Sequence, residues 1–353
     1  MADRVEAEVG PADMRSAAAG RCRGHYDDGF SVVVPVFNAE GSVVELCTRI
    51  EAALQAFTSR YEIVLVDDGS KDASGDVVDA LAATNEKVVS VRLMRNYGQH
   101  NALLSGIREA SLPAVVTIDD DLQSDPADIP VLLAALLDSD VVYGCPIGTG
   151  HGWRRTVASK AIKLVLAQSL GDRRIKDVSS FRAFRTDLRI AFERYDSPFV
   201  CIDVLLSWAT SRFKAVSVSQ YGRRWGATNY TTWRLITHAL NMVTGFTTLP
   251  LQVVSMLGFA LTGFGAGVLV YVVASFLVAH HPVAGFTFLA SIIAIFSGTQ
   301  LFALGVFGEY LARMHFRVMG KPAYVVRERS GDHVPMGGSE SCGNCRGEPG
   351  WRA

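Results

Sequence analysis

The sequence predicts an α/β protein, a mainly parallel Rossmann-like sheet domain carried on a C-terminal two-helix transmembrane hairpin. Three observations predict it. Short apolar runs alternate with helical periodicity from Phe30 onward, three of those runs end in polar clusters, and no Lys, Arg, Asp or Glu occurs between Arg234 and Glu309. Alternating strands and helices imply a parallel sheet covered on both faces.

Residues 1–27 carry scattered charges and small residues without a continuous apolar core. They lack the pattern of a secretory leader and are expected to form a disordered tail. The sheet domain is expected over residues 28–233. Residues 31–36 read as a buried strand, after which Val43, Leu46, Cys47, Ile50, Leu54 and Phe57 recur at helical spacing. Residues 61–66 are a second strand, followed by a helix to about Ala83; residues 88–93 are a third, followed by a helix through Leu103, Leu104 and Ile107. Residues 114–118 and 140–143 complete a set of five.

Residues 234–248 are expected to lie as an interfacial amphipathic helix, with Tyr230 and Trp233 as an aromatic belt before it. Two apolar runs follow, about 251–279 and 284–308, each longer than the roughly 20 residues that cross a bilayer as a helix. Arg223, Arg224 and Arg234 precede them and Arg313, Arg317 and Lys321 follow, while the turn at His280-His281-Pro282 has no Lys or Arg. Both ends are therefore expected inside, at the cytoplasmic face of the inner membrane. Residues 311–330 read as a cytoplasmic segment and 331–353 as a disordered tail, which includes a lone Cys342-Gly-Asn-Cys345 pair. Six cysteines in this pattern fit a reducing compartment. A net charge of −1 gives no basic field for nucleic acid, and a mean hydropathy of +0.22 is high for a purely soluble enzyme.

In open parallel sheets, ligands bind beyond the carboxyl ends of the strands. Strand one ends in Pro35-Val-Phe-Asn-Ala-Glu40, strand two in Asp67-Asp-Gly-Ser-Lys-Asp72, and strand four in Asp119-Asp-Asp-Leu-Gln123. Any one of these could be a turn, since Asp, Gly and Ser favour turns; three on one sheet edge point to a site. If strand four continues extended, Asp119 and Asp121 project to one face. Two such carboxylates repel unless a cation lies between them. Oxygen ligands of this kind favour Mg²⁺ or Mn²⁺ completed by substrate phosphates, and Gln123 could add a neutral oxygen. No Gly-x-Gly-x-x-Gly or P-loop stands nearby to cradle phosphate instead.

These motifs resemble the GT-A fold of family 2 glycosyltransferases, whose Asp-x-Asp motif holds a metal and a nucleotide diphosphate. The resemblance implies metal ligation by Asp119, Asp121 and Gln123, with Asp121 also catalytic. It implies nucleotide-sugar binding by Pro35, Phe37, Asn38, Glu40, Asp68, Ser70, Asp119 and Asp120. Phe37 stands where the family pattern has Tyr. Arg95-Asn-Tyr-Gly-Gln-His100, Asp177-Val-Ser-Ser-Phe-Arg182, and Leu304 to Arg313 followed by Lys321-Pro-Ala-Tyr324 resemble the polyprenyl-phosphate branch of that family. The likeness runs from about Phe30 to Val326. It implies transfer of one sugar, with inversion, from a nucleotide sugar of the UDP type to undecaprenyl or decaprenyl phosphate for later envelope glycosylation, by an enzyme that forms homo-oligomers.

Asp177 is then the candidate catalytic carboxylate, orienting the acceptor or an acceptor-binding Arg. Arg155, Arg182 and Arg223 are the candidate acceptor-phosphate ligands, because a guanidinium fork can bond two phosphate oxygens. A structural Asp177–Arg182 ion pair is the plainer reading of the same residues. The loop 223–230 departs from the branch, with Thr228 and Asn229 in place of Ser and Lys. Two other readings share features with this one. A processive polysaccharide synthase needs a channel that two spans do not readily form, and Gln220 stands one position out of register for a Gln-x-x-Arg-Trp motif ending at Arg224-Trp225. A non-catalytic membrane scaffold would have no use for three acidic strand ends.

Overall fold

A computed structural model describes residues 11–22, 28–55, 58–146, 178–222, 244–279 and 286–330. The chain runs α1 (Pro11–Cys22), β1 (Phe30–Val36), α2 (Val43–Gln55), β2 (Tyr61–Asp67), α3 (Ser74–Thr84), β3 (Val88–Leu93), α4 (Gln99–Glu109) and β4 (Ala114–Thr117). It continues through α5 (Ile129–Leu136), β5 (Val141–Pro146), β6 (Arg182–Arg185), α6 (Ile202–Ala209), β7 (Phe213–Val218), α7 (Leu249–Ala279), α8 (Phe286–Val318) and β8 (Val326–Ser330).

The eight strands form one sheet in the order β7-β5-β6-β4-β1-β2-β3-β8. The pairs β1–β2, β1–β4, β2–β3 and β5–β7 are parallel, whereas β6 and β8 run antiparallel to their neighbours. Strand order reverses at β1, which lies between β2 and β4, so the crevice for a ligand opens beyond those carboxyl ends. Side chains alternate between two cores, as a pleated strand requires. Val32, Val34 and Val36 of β1 pack with Leu46, Ile50 and Leu132 under α2 and α5, while Val33 packs with Leu103, Leu104 and Ile107 under α4.

The structure departs from expectation at the N-terminal end of the domain. Residues 11–22, expected to be part of a disordered tail, form α1, which lies on α5 with Ala18 and Cys22 buried. Within residues 311–330, expected as a cytoplasmic segment, α8 runs on to Val318 and β8 returns to the sheet beside β3. The Met94 amide donates to the Val325 carbonyl at 2.9 Å, Arg108 Nη1 donates to the Tyr324 hydroxyl at 3.2 Å, and Arg329 pairs with Glu109. These contacts tie the chain that follows α8 to the sheet.

Residues 249–274 of α7 are long and apolar enough to cross a membrane, with a mean hydropathy of 2.0 and none of that stretch buried. Met256, Phe259 and Tyr271 are each more than 70% exposed, a surface that water would penalise. α7 packs against α8, where Gly265 lies so close to the Phe296 ring that an added Cβ would stand 3.3 Å away. Among the described residues, α7 is the one helix long and apolar enough to cross a membrane. The expected interfacial helix falls largely outside the described residues; its end, 244–246, is helical.

Candidate active site

The loops after β1 and β2 are laced together. The Asn38 amide donates to Ser70 Oγ at 3.0 Å, the Lys71 amide to Asn38 Oδ1 at 2.9 Å, and the Ala73 amide to Glu40 Oε2 at 2.9 Å. Asn38 adopts a φ of 51°, a left-handed conformation that Asn tolerates better than most residues. Gly69, at φ 66°, lets this pair of loops approach the next one: a Cβ there would stand 2.5 Å from the Arg95 carbonyl carbon. Asn38, Glu40 and Ser70 thus shape the rim. Phe37 stands out from it, 43% exposed, and Pro35 is buried beneath in β1.

Asp68 lies lower, 2% exposed. Its two carboxylate oxygens accept from the Tyr97 amide at 2.7 Å and the Gly98 amide at 2.8 Å. Burial pushes this carboxyl up to about 6 against the pull of those two bonds. As placed, it anchors the loop between β3 and α4.

The acidic triad follows β4, but not as an extended continuation. The strand ends at Thr117, the chain turns at 120–121, and Leu122 takes a φ of 56°. Tertiary contacts rather than strand periodicity bring the carboxylates together. Asp119 accepts from Ser180 Oγ at 2.6 Å and from Gln99 Nε2 at 2.7 Å. Asp120 accepts from the Phe37 amide at 3.0 Å, joining the triad to the β1 loop. Asp121 accepts from the Gln123 amide at 3.1 Å and from Gln123 Nε2 at 2.8 Å. Burial raises Asp119 above the usual carboxylate range, with the neighbouring Asp121 adding to the rise. Burial pushes Asp120 up to about 6, and Asp119 and Asp121 push it further in the same direction. Neither Asp119 nor Asp120 has a salt bridge among the described residues.

That pattern fits a divalent cation. Oxygen donors repel one another at one strand end, and a bound cation with diphosphate oxygens would relieve the repulsion. Among the described residues, no group of three Asp, Glu, His or Cys side chains is placed to hold a metal ion. The Gln123 side chain is turned inward to Asp121 and, through its oxygen at 3.5 Å, to Gln220. As placed, it supports Asp121.

Arg182 opens β6, 2% exposed. Its Nη1 donates to Asp203 Oδ1, which also accepts from the Tyr143 hydroxyl at 2.9 Å, and its guanidinium lies 5.9 Å from the Tyr143 ring centre. Buried pairing with Asp203 gives it a structural partner among the described residues. Its charge still reaches the site, because it opposes the rise at Asp119. Asp177, Arg155 and Arg223 lie outside the described residues. Sequence reasoning missed Gln99 and Ser180 as Asp119 partners, though both fall inside quoted motifs, and no local signal marked Asp203.

A cavity of about 290 Å³ lies where the sheet domain meets the segment before α7 and the last turns of α8. Tyr195, Phe199, Trp208, Tyr310, Arg313 and Arg317 are among its walls. The Tyr310 hydroxyl donates to the Thr247 carbonyl at 2.6 Å, just before α7 begins. α6 links the two places. The Ile202 amide at its start donates to His100 Nδ1 at 3.4 Å, one residue from Gln99 at the triad, and Trp208 near its end lines the cavity. Eight residues of helix span about 12 Å.

A profile of Glycosyl transferase family 2 matches residues 31–194. The chain is 34% identical over 304 residues to an undecaprenyl-phosphate 4-deoxy-4-formamido-L-arabinose transferase of Sodalis glossinidius, covering 85% of this chain and 93% of that protein. It is 33% identical over 302 residues to the protein of the same name from Aeromonas hydrophila, covering 84% of this chain and 93% of that one. A glucosyl-3-phosphoglycerate synthase of Mycobacterium tuberculosis, crystallised with Mn²⁺, UDP and its product, overlays with a TM-score of 0.46 at 20% identity, covering 68% of this chain and 84% of that one. That overlay is too loose to carry an argument. The two transferases match nearly end to end, and with the family profile over the acidic strand ends they place the chain: it belongs to glycosyl transferase family 2, with a GT-A catalytic domain, in the polyprenyl-phosphate branch.

Proposed function

We propose that this enzyme transfers a single sugar, with inversion, from a UDP-sugar to undecaprenyl or decaprenyl phosphate at the cytoplasmic face of the membrane. The observation that carries the proposal is the pairing of an acidic rim with an Arg-bearing cavity at the membrane helices, joined by the short α6. A sugar hydroxyl would need a strong general base, but a lipid phosphate monoester has a second pKa near ~6 and is already mostly dianionic at neutral pH. The chain must therefore position an anion rather than remove its proton.

Asp119 and Asp121 would hold Mg²⁺ or Mn²⁺ together with the donor diphosphate. When bound, the cation offsets charge growing on the leaving diphosphate. Ser180 and Gln99 keep Asp119 aimed, and Phe37 offers an aromatic face to the nucleoside. Asp177 would orient the acceptor, three residues before Ser180 in the chain. Arg155 and Arg223 would meet the lipid phosphate. α7 and α8 would both span the bilayer, with Arg313 and Arg317 at the inner interface where basic residues are retained.

The test is to incubate the full-length protein in detergent with undecaprenyl phosphate, Mn²⁺ or Mg²⁺, and a panel of nucleotide sugars that includes a 4-deoxy-4-formamido-L-arabinose donor. The lipid product is then weighed. One sugar per lipid phosphate, lost in chelator, is expected. A polymeric product would favour a processive synthase, and absence of metal-dependent nucleotide-sugar binding by calorimetry would favour a scaffold; either overturns the proposal.

A further inference from the structure

The N-terminal helix α1 reaches the acidic loop through one side chain. Arg15 Nε donates to Asp128 Oδ1 at 2.7 Å, and its Nη2 donates to Asp125 Oδ2 at 2.8 Å and to Ser219 Oγ at 3.2 Å. The contact is not a loose surface pair: the side chains of Arg15, Asp125 and Asp128 are 27%, 14% and 5% exposed. One guanidinium fork therefore spans two carboxylates and a hydroxyl from two separate segments.

Both segments lead to the site. The first is the loop from Asp121 to Asp128, which continues directly from the triad; Asp125 also caps its short helical turn by accepting from the Ala127 amide at 3.1 Å. The second is the end of β7, which runs on to Arg223. The Ser219 amide donates to Asp128 Oδ2 at 2.7 Å, the Tyr221 hydroxyl to Asp125 Oδ2 at 3.2 Å, and the Tyr221 amide to the Gln123 carbonyl at 2.8 Å. Gln123 in turn donates to Asp121. Contacts thus run from Arg15 through Asp125 and Tyr221 to Gln123 and Asp121.

Charge explains why a cation belongs at Arg15. Asp119, Asp120, Asp121, Asp125 and Asp128 place five carboxylates within ten residues. Without a counter-charge, Asp125 and Asp128 repel each other and the loop that carries them has reason to open. α1 itself is fixed from behind, since Ala18 and Cys22 share an apolar cluster with Leu132, Leu133 and Leu136 of the helix that Asp128 leads into.

We infer that Arg15 is a positioning residue for the reaction, and that α1 is a brace holding the Asp121-bearing loop and the Ser219–Tyr221 segment in one arrangement. The part of this that concerns metal and donor rests on the proposed function; the bracing itself does not. The test uses the full-length protein and three variants, Arg15→Gln, Arg15→Lys and the milder Tyr221→Phe. Amide hydrogen exchange, read without any ligand, is expected to rise at least about 10-fold at Ser219 and Tyr221 in Arg15→Gln while β1–β3 stay protected. The Mn²⁺ concentration giving half-maximal transfer is expected to rise about 10-fold, with partial recovery in Arg15→Lys and a smaller shift of the same sign in Tyr221→Phe. Unchanged exchange at Ser219 and Tyr221 overturns the brace. Raised exchange with an unmoved Mn²⁺ requirement overturns the positioning role and leaves a structural one. If Arg15→Gln does not fold, Tyr221→Phe carries the same two readouts. Absence of transfer in the unmutated protein would instead count against the proposed function, and the exchange result would still decide the brace.

Discussion

Two parallel strands of one sheet lead into runs of Asp, two after β2 and three after β4, and the fold holds the two runs differently. At the end of β2, Asp67 and Asp68 are each 2% exposed. Asp67 accepts from the Ser70 amide at 3.0 Å, and Asp68 accepts from the Tyr97 and Gly98 amides. At the end of β4, Asp119, Asp120 and Asp121 are partly exposed, and the donors to Asp119 are side chains, Ser180 and Gln99. Backbone amides are held by the fold, whereas side-chain donors can rotate away when a cation competes for the same oxygens. Asp67 and Asp68 are held by backbone amides, whereas the side-chain donors of Asp119 can give way to a cation. Identical residue types at equivalent places therefore acquire their roles from what donates to them.

Three experiments sharpen that contrast. Asp121→Ala should have the largest effect, lowering transfer on the order of 10³-fold or more because stabilisation of the leaving diphosphate is lost. Its thermal melt should match that of the unmutated protein. Substantial retained transfer would move the metal elsewhere and erase the distinction.

Asp68→Ala should do the reverse and destabilise the fold by about 2 kcal/mol, since the Tyr97 and Gly98 amides lose their acceptor. The pH dependence gives a second handle on the same residue. Asp68 has its carboxyl pushed up to about 6, above the value of about 4 in an unfolded chain. Its contribution to stability is thus complete below about pH 4 and is lost as pH rises through about 6. Denaturant melts between pH 4 and 7 should show that decline, and Asp68→Asn should flatten it. A decline unaltered in Asp68→Asn would assign it to another carboxyl.

Ser180→Ala should be the mildest. Loss of one hydrogen bond to Asp119 is worth about 1 kcal/mol, or roughly a 5-fold fall in transfer, with stability unmoved. A melting shift there, with transfer intact, would mean that the Asp119 donors are as structural as those of Asp68.

The strands legible in the sequence were those whose signal is local. β1 to β5 are apolar runs bounded by turn residues, and each lies close to where periodicity placed it. β6 and β8 were not legible, because their place depends on partners far away: β8 pairs with β3 across more than two hundred residues and the whole membrane segment. α1 is hidden in the sequence for a related reason. Its apolar residues are few, and it is held by burial of Ala18 and Cys22 on α5 and by Arg15 on two distant carboxylates. Within the site, the acidic residues and their strand ends were visible, but the route that joins them was not. Projection of Asp119 and Asp121 to one face would follow only if the strand continued extended, and instead the chain turns so that Leu122 is buried, 3% exposed, at a φ of 56°.

Residue order alone was enough to specify the alternation of strands and helices, the acidic strand ends and the charge-free stretch, since each is a property of neighbours along the chain. The tertiary structure decided which carboxylates are walled in and which stay partly open, that Arg182 is matched with Asp203, and that α1 is part of the domain. Those outcomes turn on burial and on donors contributed by remote segments, and a carboxylate carries no mark of either until the chain has folded around it.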